Sequence, residues 1–366
     1  MKTLLTICIV GLFLFLGCET QIEKTDIGYM GTLSGRYSDL GQATLQGVML
    51  AIEDSGNADK VNLIVKDDYG KADESIKALS DLKSSGVKYI IGPNLSSVAT
   101  AVVPMLEAQN MFMLSPTTST SSLAGLRDNF LRTMPHNNYK QAELTAKYIL
   151  EKLKIKSVVV LYDSRNASYS NDIVRKFTEA YMRVGGELNA VRSFNPDSGT
   201  SLGSLLEDDK DSPPDMYYII GSSIDTSLLI WQIKKAGFNS EILIRKWAAS
   251  NEFYRLGGEA VEGVKVFDYY IDETTDAYQD FEMKYKERFQ KSPSWMSMYG
   301  YEATRILVES LPDLKEGKDF NTALGISAKK NKLLINFEFD EFGDAFLPLH
   351  FFEIHKGETV HKGMVE

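Results

Sequence analysis

Short hydroxyl side chains follow two predicted strands at the points where those strands end. Ser96 and Ser97 come after the predicted strand Tyr89–Gly92 and open a predicted helix that runs to Gln109. A serine at this position can cap the helix. The free N–H groups of the first turn, at the positive end of the helix dipole, can also hold a carboxylate. From the residues alone both interpretations stay open, and a plain cap is the commoner one.

A second hydroxyl run, Thr117–Ser119, follows the predicted strand Met111–Leu114. Ligands of open α/β sheets bind outside the carboxyl ends of the strands, so this run is expected beside Ser96. The alternative is a turn whose hydroxyls satisfy their own backbone. Together the two runs indicate a site that binds a small polar molecule by hydrogen bonds.

Residues for catalysis are sparse in this chain. Its four histidines do not have the H-E-x-x-H spacing, and no G-x-S-x-G sequence is present. The two cysteines, Cys8 and Cys18, both fall in the N-terminal segment, so the mature chain offers no thiol nucleophile. We therefore predict that the protein is not an enzyme and that binding needs no catalytic residue, metal or cofactor.

The N-terminus has the layout of an export signal. Lys2 precedes an apolar run, Leu4–Leu16, and a small residue, Gly17, stands before Cys18. Cys18 and the polar residues after it resemble a bacterial lipobox, in which the cysteine is acylated. The residues at 15 and 16 depart from that pattern, and plain secretion is the alternative. We predict a signal peptide over 1–18, lipidation at Cys18 and a tether over 19–25.

Composition sets the class of protein. With 366 residues and 43% hydrophobic content, the chain can bury a sizeable core, and its length fits two domains. The formal net charge of -10 argues against a nucleic-acid partner, because such partners need a basic face. No segment after the signal has the length and apolarity of a membrane span.

Strand and helix patterns alternate from Asp26 onward. In the first unit, the alternation through Ile27 and Tyr29 predicts a strand, and Leu45, Val48, Met49 and Ile52 share one helix face. The turn Ser34-Gly35 between them stands at the expected ligand edge. The same alternation continues as strand 61–66, helix 72–83 and the elements described above, and then in a second series as helices 139–153, 168–184, 201–207 and 224–236 and strands 157–162, 187–194, 216–220 and 241–244.

This alternation predicts an α/β fold with parallel sheets and helices on both faces. The last third contains a strand after Val264, helices over 275–290 and 296–311, and strands over 334–339 and 349–354. These pieces are too few for a third domain of the same kind, so we expect them to complete the first two.

Several motifs in this order resemble the type I periplasmic binding proteins of the leucine/isoleucine/valine class, which are the substrate-binding components of ABC importers. They are GTLSGRYSDLGQATLQGVMLAIED, VKDDYGKADES, YIIGPNLSS, MLSPTTST, FLRTMPHN, VVVLYDSRNASYSNDI, GGEAVEGV and INFEFDEFGD. The resemblance implies two doubly wound parallel-sheet lobes joined by three crossing segments, near Met134–Asn137, Tyr269–Asp272 and Gly343–Leu347. Lobe I would comprise 26–136 plus 271–343, and lobe II 137–270 plus 344–366.

The resemblance also implies ligand-binding roles for particular residues. Ser96 falls on the family's carboxylate-binding serine, and Thr117 and Ser119 on its backbone carbonyl and hydroxyl contacts to an amino acid. Tyr169 stands where the family has an aromatic that closes over the ligand, although the loop is about two residues longer here. Two further residues, Leu40 and Trp295, fall on side-chain contacts in lobe I, and each has an ordinary core interpretation as well.

Two departures from the family pattern concern lobe II. Ser222-Ser223 replaces an aromatic, which makes Ser223 a candidate contact. Arg245-Lys246-Trp247 replaces a glutamate that pairs with the ligand's ammonium group. Asp225 is a candidate substitute for that glutamate, or else an ordinary acid at a helix N-terminus. Trp247 is expected to floor the pocket or to pack between lobes. Lys246, if it points inward, would favour an anionic group on the ligand.

The function implied by the resemblance is capture of a small amino-acid-like solute, a carboxylate or amide, in a cleft that closes by hinge motion. The partners implied are the permease subunits of an ABC importer and, through the N-terminal lipid, a bacterial membrane. The protein would act outside the cytoplasm as a monomer. The alternative is a ligand-sensing receptor of the same fold that is not coupled to transport.

Overall fold

The computed structural model describes residues 24–199, 201–330 and 334–366, so the predicted signal peptide and Cys18 lie outside the described residues. The first sheet contains β1 (Thr25–Gly31), β2 (Val61–Asp67), β3 (Tyr89–Ile91), β4 (Phe112–Ser115) and β5 (Phe130–Arg132). These strands are parallel and ordered β2-β1-β3-β4-β5. Since β1 begins at Thr25, the last residue of the expected tether belongs to the sheet.

The second sheet contains β6 (Ser157–Asp163), β7 (Glu187–Phe194), β8 (Met216–Ile220), β9 (Glu241–Arg245), β10 (Lys265–Tyr269), β13 (Leu349–His355) and β14 (Glu358–Met364). Its order is β14-β13-β10-β9-β8-β6-β7, and only β13 and β14 run antiparallel to their neighbours. A two-stranded sheet joins β11 (Glu338–Phe339) to β12 (Ala345–Phe346). The predicted α/β fold with parallel-sheet lobes is confirmed.

Helices cover both faces of each large sheet. They are α1 (Ser38–Asp54), α2 (Ala72–Ser84), α3 (Ser96–Val102), α4 (Leu106–Gln109), α5 (Tyr139–Lys147), α6 (Ala167–Arg183), α7 (Ser223–Lys235), α8 (Asn251–Gly257), α9 (Asp276–Phe289), α10 (Trp295–Lys315) and α11 (Phe320–Lys330). Successive side chains of a strand point to opposite faces of the sheet. In β1, Ile27 and Tyr29 pack in the core with α1 and α10, while Met30 packs in the opposite core with α2 and α3.

Some predicted elements were wrong in extent or type. The single helix expected from Ser96 to Gln109 is broken into α3, a 3-10 turn and α4, because Pro104 lacks the N–H that would continue the ladder. The helix expected over 201–207 is a 3-10 helix, Leu202–Asp209. Within the predicted strand 334–339, only Glu338–Phe339 pairs.

Helices α1 and α10 approach each other unusually closely. A Cβ atom on Gly47 would lie 1.9 Å from the carbonyl oxygen of Ser297, and one on Gly300 would lie 2.3 Å from that of Thr44. The backbones therefore touch where side chains would normally separate them. This packing fixes the distance between the two helix starts.

A buried ion pair ties the first sheet to the chain that crosses back toward the second sheet. Arg132, at the end of β5, is fully buried, and its Nε lies 2.6 Å from Asp344. The same guanidinium donates to the carbonyl oxygen of Thr120, and Asp344 also accepts from the N–H of Gly125. In the part of the chain that the structure describes, no helix is both long and apolar enough to cross a bilayer.

Candidate functional site

The carboxyl ends of strands from both large sheets face one cavity with an empty volume of about 550 Å³, part of which is open to solvent. The first sheet contributes residues that follow β3, β4 and β5. The second contributes residues that follow β6 and residues at the ends of β9 and β10. Such an edge is the usual ligand position in open α/β sheets.

All but one of the predicted contact residues line this cavity. They are Leu40, Ser96, Thr117, Ser119, Tyr169, Lys246, Trp247 and Trp295. Leu40 and Trp295 lie in the first turns of α1 and α10, so the close packing of those helices sets their separation. The structure thus brings these residues together, and their contact with a ligand stays a prediction.

Ser223 is the exception, because it does not line the cavity. Its hydroxyl donates to the carboxylate of Asp39 in α1, which also accepts from Ser250 at 3.1 Å. Ser223 therefore joins the two lobes beside the site. The turn Ser34-Gly35 is exposed and also lies outside the lining.

The hydroxyl cluster is held by its own hydrogen bonds. Ser96 is the first residue of α3 and does not cap it; the cap position is Leu95, without a side-chain hydrogen bond. Instead, the Ser96 hydroxyl oxygen accepts from the N–H of Ser119 at 3.3 Å, and Thr117 donates to the carbonyl oxygen of Asn94 at 2.8 Å. The two loops are therefore bound to each other, which fixes the hydroxyls before any ligand arrives.

Aromatic rings form the opposite wall. Trp247 packs between Tyr37, whose ring centroid lies 5.4 Å away and whose plane is tilted by 52°, and Tyr169, at 5.2 Å and nearly perpendicular. Both expectations for Trp247 hold in the structure, since it lines the cavity and also packs between rings from the two lobes. Burial raises the pKa of Tyr169, so its hydroxyl stays neutral and can donate.

Lys246 points inward and has a carboxylate partner. Its Nζ lies 2.7 Å from Asp268 and within 6 Å of the ring centroids of Tyr269, Trp295 and Tyr299. Because Asp268 neutralises the ammonium group, Lys246 is not the free cation that the sequence suggested. Asp268 is also the single acidic residue in the cavity lining of the described chain.

Asp225, the candidate partner for a ligand ammonium group, lies outside the lining. Its buried carboxylate is 2.6 Å from Arg36, which comes from the loop after β1, and it also pairs with Arg165. Asp225 therefore already has two arginine partners, and its pair with Arg36 connects the two lobes.

Other contacts between the lobes use short polar groups. The N–H of Ser97 donates to Asn166 at 3.0 Å, and the N–H of Ser168 donates to the Ser97 hydroxyl at 3.0 Å. The Tyr37 hydroxyl donates to Asp163 at 2.7 Å. These bonds hold the strand ends of one lobe close to those of the other, beside the cavity.

The sequence analysis did not single out Arg245, Asn137 or Asp268 as site residues, yet all three line the cavity. Arg245 was visible next to Lys246, and Asn137 stood in the crossing motif. The sequence did not reveal the register between β9 and β10. That register aligns Arg245 with Phe267 and so places Lys246 level with Asp268.

Comparison with known proteins agrees with this architecture. A family model described as Periplasmic binding protein matches residues 24–333. The Leu/Ile/Val-binding protein BraC3 of Rhizobium johnstonii is 26% identical over 244 residues, which are 65% of each chain. The matched segment thus spans slightly less than two thirds of that relative's length. The leucine-, isoleucine-, valine-, threonine-, and alanine-binding protein of Pseudomonas aeruginosa is 21% identical over 256 residues, 68% of each chain.

Solved structures share the fold over nearly the whole chain. A leucine-binding protein from Thermotoga maritima superposes with a TM-score of 0.82 and 23% identity, covering 93% of this chain and 99% of that one. A solute-binding protein of an ABC transporter from R. palustris, in complex with benzoate, gives a TM-score of 0.84 at 18% identity, covering 93% and 96%. Another similar structure, from Streptococcus pneumoniae, holds isoleucine, with a TM-score of 0.80, 19% identity, and coverage of 93% and 100%.

Proposed function

The chain belongs to the periplasmic binding protein family, and on that premise we propose that it captures a small polar solute and delivers it to an ABC importer. The solute would be an amino acid or a related carboxylate or amide. The observation that carries this proposal is the cavity between the two sets of strand ends, with hydroxyls on one side and aromatic rings on the other. Relatives that bind branched-chain amino acids, and a similar structure with bound benzoate, support the same ligand range.

We propose that binding closes the cleft between lobe I, over 26–136 plus 271–343, and lobe II, over 137–270 plus 344–366. Only the closed form lets the ligand contact Ser96, Thr117 and Ser119 from one lobe and Tyr169 and Trp247 from the other. The ligand therefore shifts the population toward that form. The protein would act outside the cytoplasm, anchored by a lipid on Cys18.

A thermal-shift screen tests the proposal directly. The purified mature chain would be heated with amino acids, amides and small carboxylates, each at millimolar concentration. A true ligand at about 100 times its dissociation constant adds about 2.7 kcal/mol to the free energy of unfolding and raises the melting temperature by several degrees. If no compound of these classes shifts the melting temperature, the proposed ligand range is wrong.

Replacing Ser96 by alanine should weaken binding of a carboxylate ligand by about 1–3 kcal/mol, as expected for loss of a hydrogen bond to a charged group. Calorimetric titration with the best compound of the screen measures this. Ser84→Ala, at an exposed serine in α2, is the matched control and should leave the affinity unchanged. Equal affinity of the Ser96 variant and the control would remove Ser96 from the site.

Arg36→Met should lower ligand affinity about two- to fivefold without changing the contacts inside the cavity. Arg36 joins the loop after β1 to Asp225, and its side chain is 39% exposed, so screening keeps the effect small. Arg255→Met removes an equally long cation whose one ion pair among the described residues lies within α8, and it should bind like the wild type. If both variants bind equally, this ion pair does not contribute to closure.

A further inference from the structure

Arg245 stands where the main cavity meets a smaller side chamber. It is the last residue of β9 and lines both spaces, and the chamber's empty volume of about 280 Å³ includes space that is open to solvent. Asn137, from the segment after β5, also lines both spaces. A group bound in the main cavity can therefore reach the guanidinium of Arg245 and the amide of Asn137 together.

Among the described residues, no carboxylate lies within ion-pair distance of the Arg245 guanidinium. The nearby acid, Asp268, is committed to Lys246 at 2.7 Å. Arg245 donates to neutral groups: to the amide oxygen of Asn137 at a long 3.4 Å, and to the hydroxyls of Tyr169 and Tyr218. An arginine side chain remains charged at all physiological pH values, so this site keeps an uncompensated cation.

The aromatic hydroxyls near Arg245 do not supply a negative charge. Burial raises the pKa of Tyr218 and that of Tyr269 to about 12. It raises the pKa of Tyr169 as well. All three hydroxyls are therefore neutral near pH 7.

Two buried donor groups at this junction have no hydrogen-bond acceptor among the described residues. The Nε of Arg245 and the Nδ2 of Asn137 are buried, and neither has a hydrogen-bond partner within the described chain. In the side chamber, Gln141 and Thr145 each leave a further buried polar atom unpaired. Buried polar atoms in folded proteins are nearly always paired, so these donors are available to a polar group of a ligand or to water.

The charges of the cavity lining do not balance. Arg245 and Lys246 contribute two positive charges and Asp268 one negative charge, which leaves a net charge of one positive unit. A zwitterionic ligand with a neutral side chain adds no net charge and leaves the cation uncompensated in a closed cleft, which is costly. A ligand with one net negative charge would bring the site to neutrality.

We propose that the ligand is a carboxylate with a net charge of -1 and that its anionic group pairs with Arg245 at the junction of the two cavities. This inference rests on the proposed function and narrows it to anionic carboxylates. Acidic amino acids and simple monocarboxylates satisfy the charge, whereas neutral amino acids do not. Lobe II would recognise the anionic group through the segment Arg245-Lys246-Trp247, which replaces the glutamate of the family pattern.

Two pairs of compounds with nearly equal shape separate charge from shape. Benzoate and benzamide form one pair, and glutamate and glutamine the other; in each pair the first member carries one more negative charge. Isoleucine is added as a neutral branched-chain amino acid. In calorimetric titrations of the wild-type mature chain near pH 7, we expect the anion of at least one pair to bind at least tenfold more tightly than its amide and than isoleucine.

Arg245→Gln should reduce that anion-over-amide preference at least tenfold, since it removes the cation and keeps a polar side chain. Arg245→Lys keeps the charge and should retain part of the preference. Arg183→Gln removes an exposed arginine far from the cavity lining and should bind like the wild type. The melting temperature of ligand-free Arg245→Gln should equal or exceed that of the wild type, because a partly buried cation without a carboxylate partner has been removed.

The outcomes are distinguishable. Tight binding of isoleucine, or of an amide as well as its anion, overturns this inference and leaves the proposed function standing. Equal anion preference in Arg245→Gln and Arg183→Gln also overturns it. If none of the five binds but a neutral compound of the thermal-shift screen does, this inference fails and the proposed function stands. If no compound of that screen binds, both fail.

Discussion

Asp344→Asn is expected to lower the free energy of unfolding by about 3–5 kcal/mol, because it leaves the fully buried Arg132 without its counter-ion. The carboxylate also accepts the N–H of Gly125, so the substitution disturbs a second, partly buried contact as well. Urea denaturation followed by circular dichroism measures the change.

Glu341→Gln is the matched control for this prediction. Glu341 pairs with Arg127 nearby in space, but both side chains are well exposed, so the loss should stay below about 1 kcal/mol. A double variant, Arg132→Met with Asp344→Leu, removes both buried charges and should be more stable than Asp344→Asn. If Asp344→Asn and Glu341→Gln are equally stable, the buried pair contributes no more than a surface pair.

Gly47→Ala is expected to destabilise the protein by about 3 kcal/mol or more, at the upper end of the usual cost of overpacking. The added methyl group would lie 1.9 Å from the carbonyl oxygen of Ser297 and 2.7 Å from the backbone nitrogen of Tyr301. Backbone atoms of a packed helix cannot move aside as a flexible side chain can, so α1 and α10 must separate. Thermal and urea unfolding both report the loss.

The same variant should also weaken ligand binding, because Leu40 and Trp295 lie at the starts of the helices that separate. Gly325→Ala is the matched control. Apart from the backbone of its own helix, no atom of the described residues lies within 4 Å of the position that its Cβ would take. Since Gly325 is inside α11, this variant should gain about 0.5–1 kcal/mol in its free energy of unfolding. Equal stability of the two alanine variants would contradict the close approach of α1 and α10.

Much of the fold could be predicted from the sequence because its strands and helices carry strong periodicities. Strand β8 is an uninterrupted apolar run that is buried throughout, as expected for a central strand covered on both faces. The break between α3 and α4 was missed although Pro104 marks it, because the apolar helix pattern continues across the proline. The short strand β5 was missed because three residues, Phe130–Arg132, are too few to show a period.

The candidate site was predictable only where a contact is local in sequence or follows from the family pattern. Ser96, Thr117 and Ser119 come from loops next to their strands, and the structure places them together. The charges were not predictable, because the partner of Lys246 is on the neighbouring strand β10 and depends on the strand register. Register is fixed by the packing of the whole sheet, and no local pattern reveals it.

The contact between the lobes at Ser97, Asn166 and Ser168 affects how easily the lobes can separate. These bonds join small hydrophilic groups, and solvent molecules can replace each of them when the lobes move apart. Separation at this contact hydrates polar groups and exposes little apolar surface, in contrast to the aromatic contact of Trp247 with Tyr37 and Tyr169. At this contact, opening therefore adds little apolar surface through which molecules could aggregate.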